Sequence, residues 1–140
     1  MRPSWKAAVL AGDILVQRKL LLDKTFVSDL DEELRTRRAG PARRLAASMG
    51  SALVVISVIT LEEFYEKRGE AAARDLASRF TVLGLHAADA LCCGLLQTRL
   101  ARRLGENDAW LAAQALRGDL ALVTRDRRFA DVPKLDILTY

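Results

Sequence analysis

Four acidic residues stand where their side chains could cooperate: Asp23, Glu63, Asp108 and Asp126. Asp23 follows the apolar run Leu20-Leu21-Leu22, and Glu63 comes shortly after Leu53-Val54-Val55-Ile56-Ser57. Asp126 lies two residues past the run that ends at Thr124, and Asp108 sits in Gly105-Glu106-Asn107-Asp108 ahead of an Ala-rich stretch. Carboxylates gathered at one place repel each other, and a proton or a cation relieves the repulsion. An all-oxygen set suits a hard divalent ion such as Mg2+ or Mn2+. Each acid also has a purely structural explanation. Asp23 and Asp108 have the form of helix N-caps, whose side chains accept from free backbone amides. Thr60-Leu61-Glu62-Glu63 spells a capping box in which Glu63 reaches back to the Thr60 amide. Asp126 suits a turn within Arg125-Asp126-Arg127-Arg128. Whether the four converge is what separates the two explanations.

Convergence depends on the elements that carry them. Short β-branched or leucine runs read as strands at Leu20–Leu22, Leu53–Ser57, Thr81–Leu85, Leu120–Thr124 and Asp136–Tyr140. Between them, Phe26, Val27, Leu30 and Leu34 repeat at helical spacing, and Pro41 opens a helix that runs to Met49 and stops at Gly50. Further helices are expected from near Thr60, from Glu70 to Phe80, from His86 to Arg103, and from Asp108 to Arg117 with Gly118 as the stop. This alternation predicts a single α/β domain over residues 20–140, with a central, mostly parallel sheet of four or five strands and helices on both faces. Residues 1–19 form an N-terminal extension ahead of it, and Asp13, after Ala8-Val9-Leu10, is a rival for the first acid. Ligands in such sheets bind outside the carboxyl ends of the strands. Asp23, Glu63 and Asp126 fall at that edge, and Asp108 joins them if its helix packs along the sheet.

The remaining inventory excludes other chemistries. His86 is the single histidine, which rules out paired-histidine ribonuclease chemistry and leaves a Ser-His-Asp triad without a partner motif. It reads instead as a helix opener. Cys92 and Cys93 are adjacent, unsuited to bridging each other or to holding zinc, and read as packing residues of a reduced, cytoplasmic protein. No Gly-rich phosphate loop appears. The apolar stretch near the start is broken by Asp13, so neither export nor a membrane span is expected. The net charge of +4, rich in arginine, favours a polyanionic partner.

Four segments, in order, carry a family resemblance. Asp23-Lys24-Thr25-Phe26-Val27-Ser28-Asp29-Leu30 resembles the opening strand–helix motif of PIN domains, in particular the VapC toxins of toxin–antitoxin pairs. Ile56-Ser57-Val58-Ile59-Thr60-Leu61-Glu62-Glu63-Phe64 resembles their second acidic motif. Gly105-Glu106-Asn107-Asp108 with Leu111–Leu116 is similar to the third, and Leu122-Val123-Thr124-Arg125-Asp126 with Phe129, Val132, Pro133 and Leu135 to the last. The resemblance implies a metal-dependent endoribonuclease in which Mg2+, with Mn2+ as substitute, is held by Asp23, Asp108 and Asp126 with Glu63 close by. It implies in-line hydrolysis leaving a 5′-phosphate and a 3′-hydroxyl, a homodimeric toxin, a cognate antitoxin, and a structured RNA substrate such as transfer or ribosomal RNA. Thr25, Asn107 and Thr124 are expected to orient carboxylates or water, and Arg125, Arg127, Arg128, Arg102 and Arg103 to grip phosphates. One position departs from the family: Lys24 stands where a small hydroxyl residue is usual. That departure motivates the alternative of a catalytically impaired PIN fold that binds RNA or a protein partner.

Overall fold

The computed structural model describes residues 18–50 and 52–140; the N-terminal extension through residue 17, with Asp13, lies outside the described residues. Five strands form one sheet: β1 (Lys19–Leu22), β2 (Leu53–Ser57), β3 (Thr81–Leu83), β4 (Ala121–Val123) and β5 (Ile137–Leu138). All neighbours are parallel, in the order β3-β2-β1-β4-β5. The chain therefore builds outward from β1 in one direction, then returns to lay β4 on its other side. The boundary between β1 and β4 is the topological switch point, and sheets of this kind bind their ligands at a crevice outside the carboxyl ends of the strands there.

Strand β1 shows why the sheet is double-sided. Leu20, Leu21 and Leu22 are almost wholly inaccessible, as expected of a parallel strand covered on both faces. Leu20 and Leu22 pack with Phe26, Leu45, Ile56, Phe64 and Leu76 on one side. Leu21 points the other way and packs with Val55, Leu111, Leu122 and Phe129. The first side is covered by α1 (Lys24–Arg35), α2 (Pro41–Met49), α3 (Val58–Arg68) and α4 (Glu70–Arg79), the second by α5 (Ala87–Arg99) and α6 (Glu106–Gly118). Cys93 is buried with Ala109 and Ala113 between α5 and α6, and Cys92 packs against them; both are free thiols.

Several local expectations are corrected by the caps. Helix α3 begins at Val58, because the Ser57 hydroxyl at the end of β2 accepts from the Ile59 N–H at 3.1 Å. Thr60 lies inside the helix, buried, so the capping box with Glu63 does not form. Helix α6 is entered from Gly105, which leaves Asp108 as its third residue and not its cap. It closes on Asp119 in the left-handed conformation (φ 52°), not on Gly118, with the Leu120 N–H returning to the Ala115 carbonyl at 2.8 Å. Helix α5 ends at Arg99, short of Arg103. The Gln97 amide there takes over the loop, donating to the Leu104 carbonyl at 2.8 Å and accepting its N–H at 3.0 Å. His86 does open α5, as its cap, paired with Asp89 in a capping box. Pro41, Met49 and Gly50 bound α2 as expected.

The first turn of α2 is held by Glu33, a buried carboxylate on α1 that accepts from the Ala42 and Arg43 N–H groups at 3.2 and 2.9 Å. An anion at a helix N-terminus is favoured by both the free amides and the dipole. A Cβ on Gly40 would come within 2.4 Å of that carboxylate, so glycine is what allows the close approach.

Candidate active site

Asp23 ends β1 and caps α1, and its side chain is 2% exposed. Oδ1 accepts from the Lys24 N–H at 2.8 Å; Oδ2 accepts from the hydroxyls of Thr25 at 3.0 Å and Thr124 at 2.7 Å. The N-cap role and the site position thus coincide in one residue. Thr124, fully buried at the end of β4, is shared: it donates to Asp23 while accepting from the Asp126 N–H at 3.0 Å. A single hydroxyl therefore couples the carboxyl ends of β1 and β4 across the switch point.

Asp126 caps the short 3-10 turn Arg127–Asp131, accepting from the Arg128 N–H at 2.9 Å. The Arg128 guanidinium also forks onto both its oxygens, at 2.6 Å for the closest contact. This pairing, with burial opposing it, holds the Asp126 carboxyl below its ordinary pKa. Asp108 sits on the first turn of α6, buried, with Arg128 Nη2 at 3.6 Å from Oδ2 and, among the described residues, no hydrogen bond to its carboxylate. Burial, then the charge of Asp23, push its pKa up, and Asp126 adds to the effect; Arg128 and Lys24 counteract part of it.

Glu63 projects from the second turn of α3 and meets Lys24, whose Nζ lies 3.1 Å from Oε2. That hydrogen bond raises the Lys24 pKa, helped by the charges of Glu63, Asp108 and Asp23. The acids of the four segments thus come to one edge with two cations set among them, Lys24 on the Glu63 side and Arg128 on the Asp126 side. Among the described residues, no three acidic, histidine or cysteine side chains are grouped closely enough to hold a metal ion as they stand. In donor chemistry the set fits one: the ligands are carboxylate oxygens, and Asp108 presents a desolvated carboxylate without a hydrogen-bond donor. Lys24, Thr25, Thr60 and Glu63 line a groove between α1 and α3, and the Thr60 hydroxyl there is buried without a hydrogen-bond partner.

The arginines divide. Arg102 and Arg103, from the loop after α5, line a cleft of about 310 Å³ together with Arg127 and Arg128. Two clusters separated in sequence form one basic wall beside Asp126. Arg125 turns away from it and pairs with Asp29 on α1 at 2.6 Å. Nothing in the sequence assigns Asp29 a role. It also accepts from the Tyr140 hydroxyl at 2.7 Å, and the Tyr140 ring meets Phe26 edge-on at 5.1 Å. Burial alone would raise the Asp29 pKa, but the Arg125 and Tyr140 donors outweigh it and lower it. An acidic residue one turn into a helix is an ordinary surface feature, which is why nothing in the sequence marked it. Asn107 is exposed, and its amide makes no hydrogen bond to the four acids.

Sheet order, crevice and acids together define a class. Residues 20–135 match the PIN domain, and the chain belongs to the PIN-domain family, in its VapC branch. It is 30% identical over 132 residues to Ribonuclease VapC4 of Mycobacterium tuberculosis (strain ATCC 25618 / H37Rv), an alignment covering 89% of this chain and 98% of that protein. Its fold is similar to that in VapBC2 from Rickettsia felis bound to a promoter DNA fragment, with a TM-score of 0.71 and 21% identity over 86% of this chain and 98% of that one. The same holds for VapBC-1 of nontypeable Haemophilus influenzae, with a TM-score of 0.69 and 22% identity over 86% and 97% of the two chains. Among the described residues, no helix is long and apolar enough to cross a membrane.

Proposed function

We propose that this chain is a toxin endoribonuclease that hydrolyses RNA phosphodiesters with Mg2+ or Mn2+ and is inhibited by a cognate antitoxin protein. The observation that carries the reading is Thr124, which ties Asp23 and Asp126 together across the β1–β4 crevice while Asp108 faces them from α6. Asp23, Asp108 and Asp126 would hold the ion, with Glu63 at the rim. When bound, it supplies an activated water and positive charge against the scissile phosphate. The chain's own residues do the positioning. Thr25 and Thr124 fix the rotamer of Asp23, and Thr124 sets the backbone that presents Asp126. Donors of this kind, one layer behind the ligands, typically change affinity or activity 10- to 100-fold when removed.

Arg102, Arg103, Arg127 and Arg128 form the strand-gripping wall. Phosphate contacts position a strand without reading its bases, so the choice of a transfer or ribosomal RNA rests on shape and on single-stranded bases. Arg125, tied to Asp29, anchors the loop that bears Asp126 and is assigned no phosphate contact. A homodimer is supported by α5, where Leu91 and Leu95 are 77% and 51% exposed one turn apart; the mass of the protein in solution checks it. An antitoxin would neutralise the acids with a basic side chain and displace the ion.

Cleavage of structured RNA by the purified protein with Mg2+ or Mn2+ tests the reading. Asp23→Asn and Asp108→Asn are expected to abolish cleavage. Equal cleavage by wild type and both variants would contradict the mechanism.

A further inference from the structure

We propose that the arginine cleft beside Asp126 is a subsite for one unpaired nucleotide, and that it holds the base next to the scissile phosphate as well as a phosphate. The inference rests on the nuclease reading above and says which part of an RNA that site takes, and where.

The cleft lies where the loop after α5 meets the 3-10 turn after β4. Its volume of about 310 Å³ is at the small end for ligand pockets, roughly 300–1,000 Å³. That suits a single nucleotide and is too little for a duplex. The lining is of two kinds. Leu100, Leu104 and Val132 are apolar and belong to the core on the α6 side of the sheet. Arg102, Arg103, Arg127 and Arg128 stand among them. A phosphate needs only the cations. Apolar surface set among guanidiniums is what the flat face of a base needs, because bases stack on guanidinium planes as they do on aromatic rings.

The charges favour an incoming anion. Among the described residues, the side chains of Arg102, Arg103 and Arg127 have no ion pair or hydrogen bond, whereas Arg35, Arg74, Arg79, Arg117 and Arg125 are each tied to an acid. Unpaired cations around one cleft repel each other until an anion joins them. Asp131 is the one acid among the described lining residues, and its carboxylate is likewise without a partner there. It supplies an acceptor for the N–H donors of a base edge, which guanidiniums cannot. Arg128 links the cleft to the acids, with Nη2 2.6 Å from Asp126 and 3.6 Å from Asp108. Gly105 in the cleft wall stands so close that a Cβ on it would lie 3.6 Å from Asp108 Oδ2. The groove on the other flank is the worse path for RNA. Asp29, Glu32, Glu63 and Glu66 line it, and its Arg125 and Lys24 are already paired with two of them. The strand therefore leaves the acids on the arginine side, and its first nucleotide there enters the cleft.

Calorimetric titration of the full chain in metal-free buffer tests this with the nucleoside 5′-monophosphates, ribose 5-phosphate and a tetraglutamate peptide. At least one nucleotide is expected to bind about tenfold more tightly than ribose 5-phosphate, with amide NMR shifts centred on residues 100–105 and 127–132. The double variant Arg102→Lys, Arg127→Lys, checked for folding by circular dichroism, keeps the charge and removes two flat faces, so that ratio should fall towards one. Equal affinities for nucleotides and ribose 5-phosphate in the wild type, shifts centred elsewhere, an undiminished ratio in the variant, or no binding at all would each overturn the inference. Tetraglutamate bound as tightly as the nucleotides would give the cleft to an acidic protein partner, which overturns it too. Cleavage of structured RNA with Mn2+ by the same wild-type protein decides the nuclease reading separately: cleavage without any nucleotide advantage leaves that reading standing and removes only the subsite.

Discussion

Asp23 and Asp126 stand on either side of the same crevice, and they are held by opposite kinds of donor. Asp23 is gripped by two hydroxyls and a backbone N–H, all neutral. Asp126 is gripped by a backbone N–H and by a guanidinium that is 67% exposed. Neutral donors orient a carboxylate without neutralising it, so the Asp23 charge stays available to a cation and to its neighbours. Its effect is visible at Asp108, whose pKa it helps to raise. A charged donor satisfies the carboxylate outright, and Asp126 is accordingly stabilised in its ionised form. On the proposed function, one side of the site is a socket for positive charge and the other a latch that has to open. Lys24 on Glu63 is a third arrangement, an exposed ammonium paired with an acid on the far flank of the same edge.

The comparison breaks most sharply at Thr124, the residue common to both sides. Thr124→Val keeps the shape and removes the donor to Asp23 and the acceptor for the Asp126 N–H. We expect RNA cleavage to fall about 10- to 100-fold, and denaturant unfolding to show a loss of about 1–3 kcal/mol, the cost of leaving buried groups unpaired. Cleavage within twofold of wild type would show that the two acids are set independently.

A smaller effect is expected from opening the latch. In Arg128→Ala, Asp126 is released, so Mn2+ binds more tightly, while RNA binding weakens and the slope of log affinity against log salt falls by about one phosphate contact. Calorimetry for the ion and filter binding across a salt series separate the two. An unchanged Mn2+ affinity would mean that Arg128 does not compete for Asp126.

The smallest effect concerns the socket's unrelieved charge. The folded-state pKa of Asp108 is raised above its unfolded value, so ionisation favours the unfolded chain. The deficit is fully present above the folded pKa and disappears as pH falls below the unfolded one. In metal-free buffer, Asp108→Asn should therefore melt higher than wild type at neutral pH, and the gain should shrink on acidification. A gain that grows with acid would place the repulsion elsewhere.

Much of this was readable from the chain because the relevant signals are local. The Leu20–Leu22 run, buried on both faces, and the Pro41–Gly50 brackets of α2 needed no tertiary information. The start of α3 is not legible in the sequence, because Ser57 and Thr60 are both hydroxyl residues near a strand end and only the backbone decides which one caps. The end of α5 is equally hidden, because it is fixed by the Gln97 amide, seven residues from its partner Leu104 and without any terminator. Topology alone places Asp23, Glu63 and Asp126 at one edge, whereas Asp108 joins them only because α6 packs along the sheet. That Lys24 reaches Glu63, that Arg125 goes to Asp29, and that Arg102 and Arg103 share a cleft with Arg127 and Arg128 are contacts made across the fold. No spacing rule encodes them.

The central claim is that these acids form one divalent-ion site, and a Mn2+ titration of the melting temperature tests it most directly. An ion that binds only the native state stabilises it by mass action, by about 2.7 kcal/mol at a hundredfold excess over its Kd. The wild type should therefore melt several degrees higher as Mn2+ is added, while Asp108→Asn, already relieved of its charge, should respond little. A flat wild-type response, or an equal rise in the variant, would contradict the account.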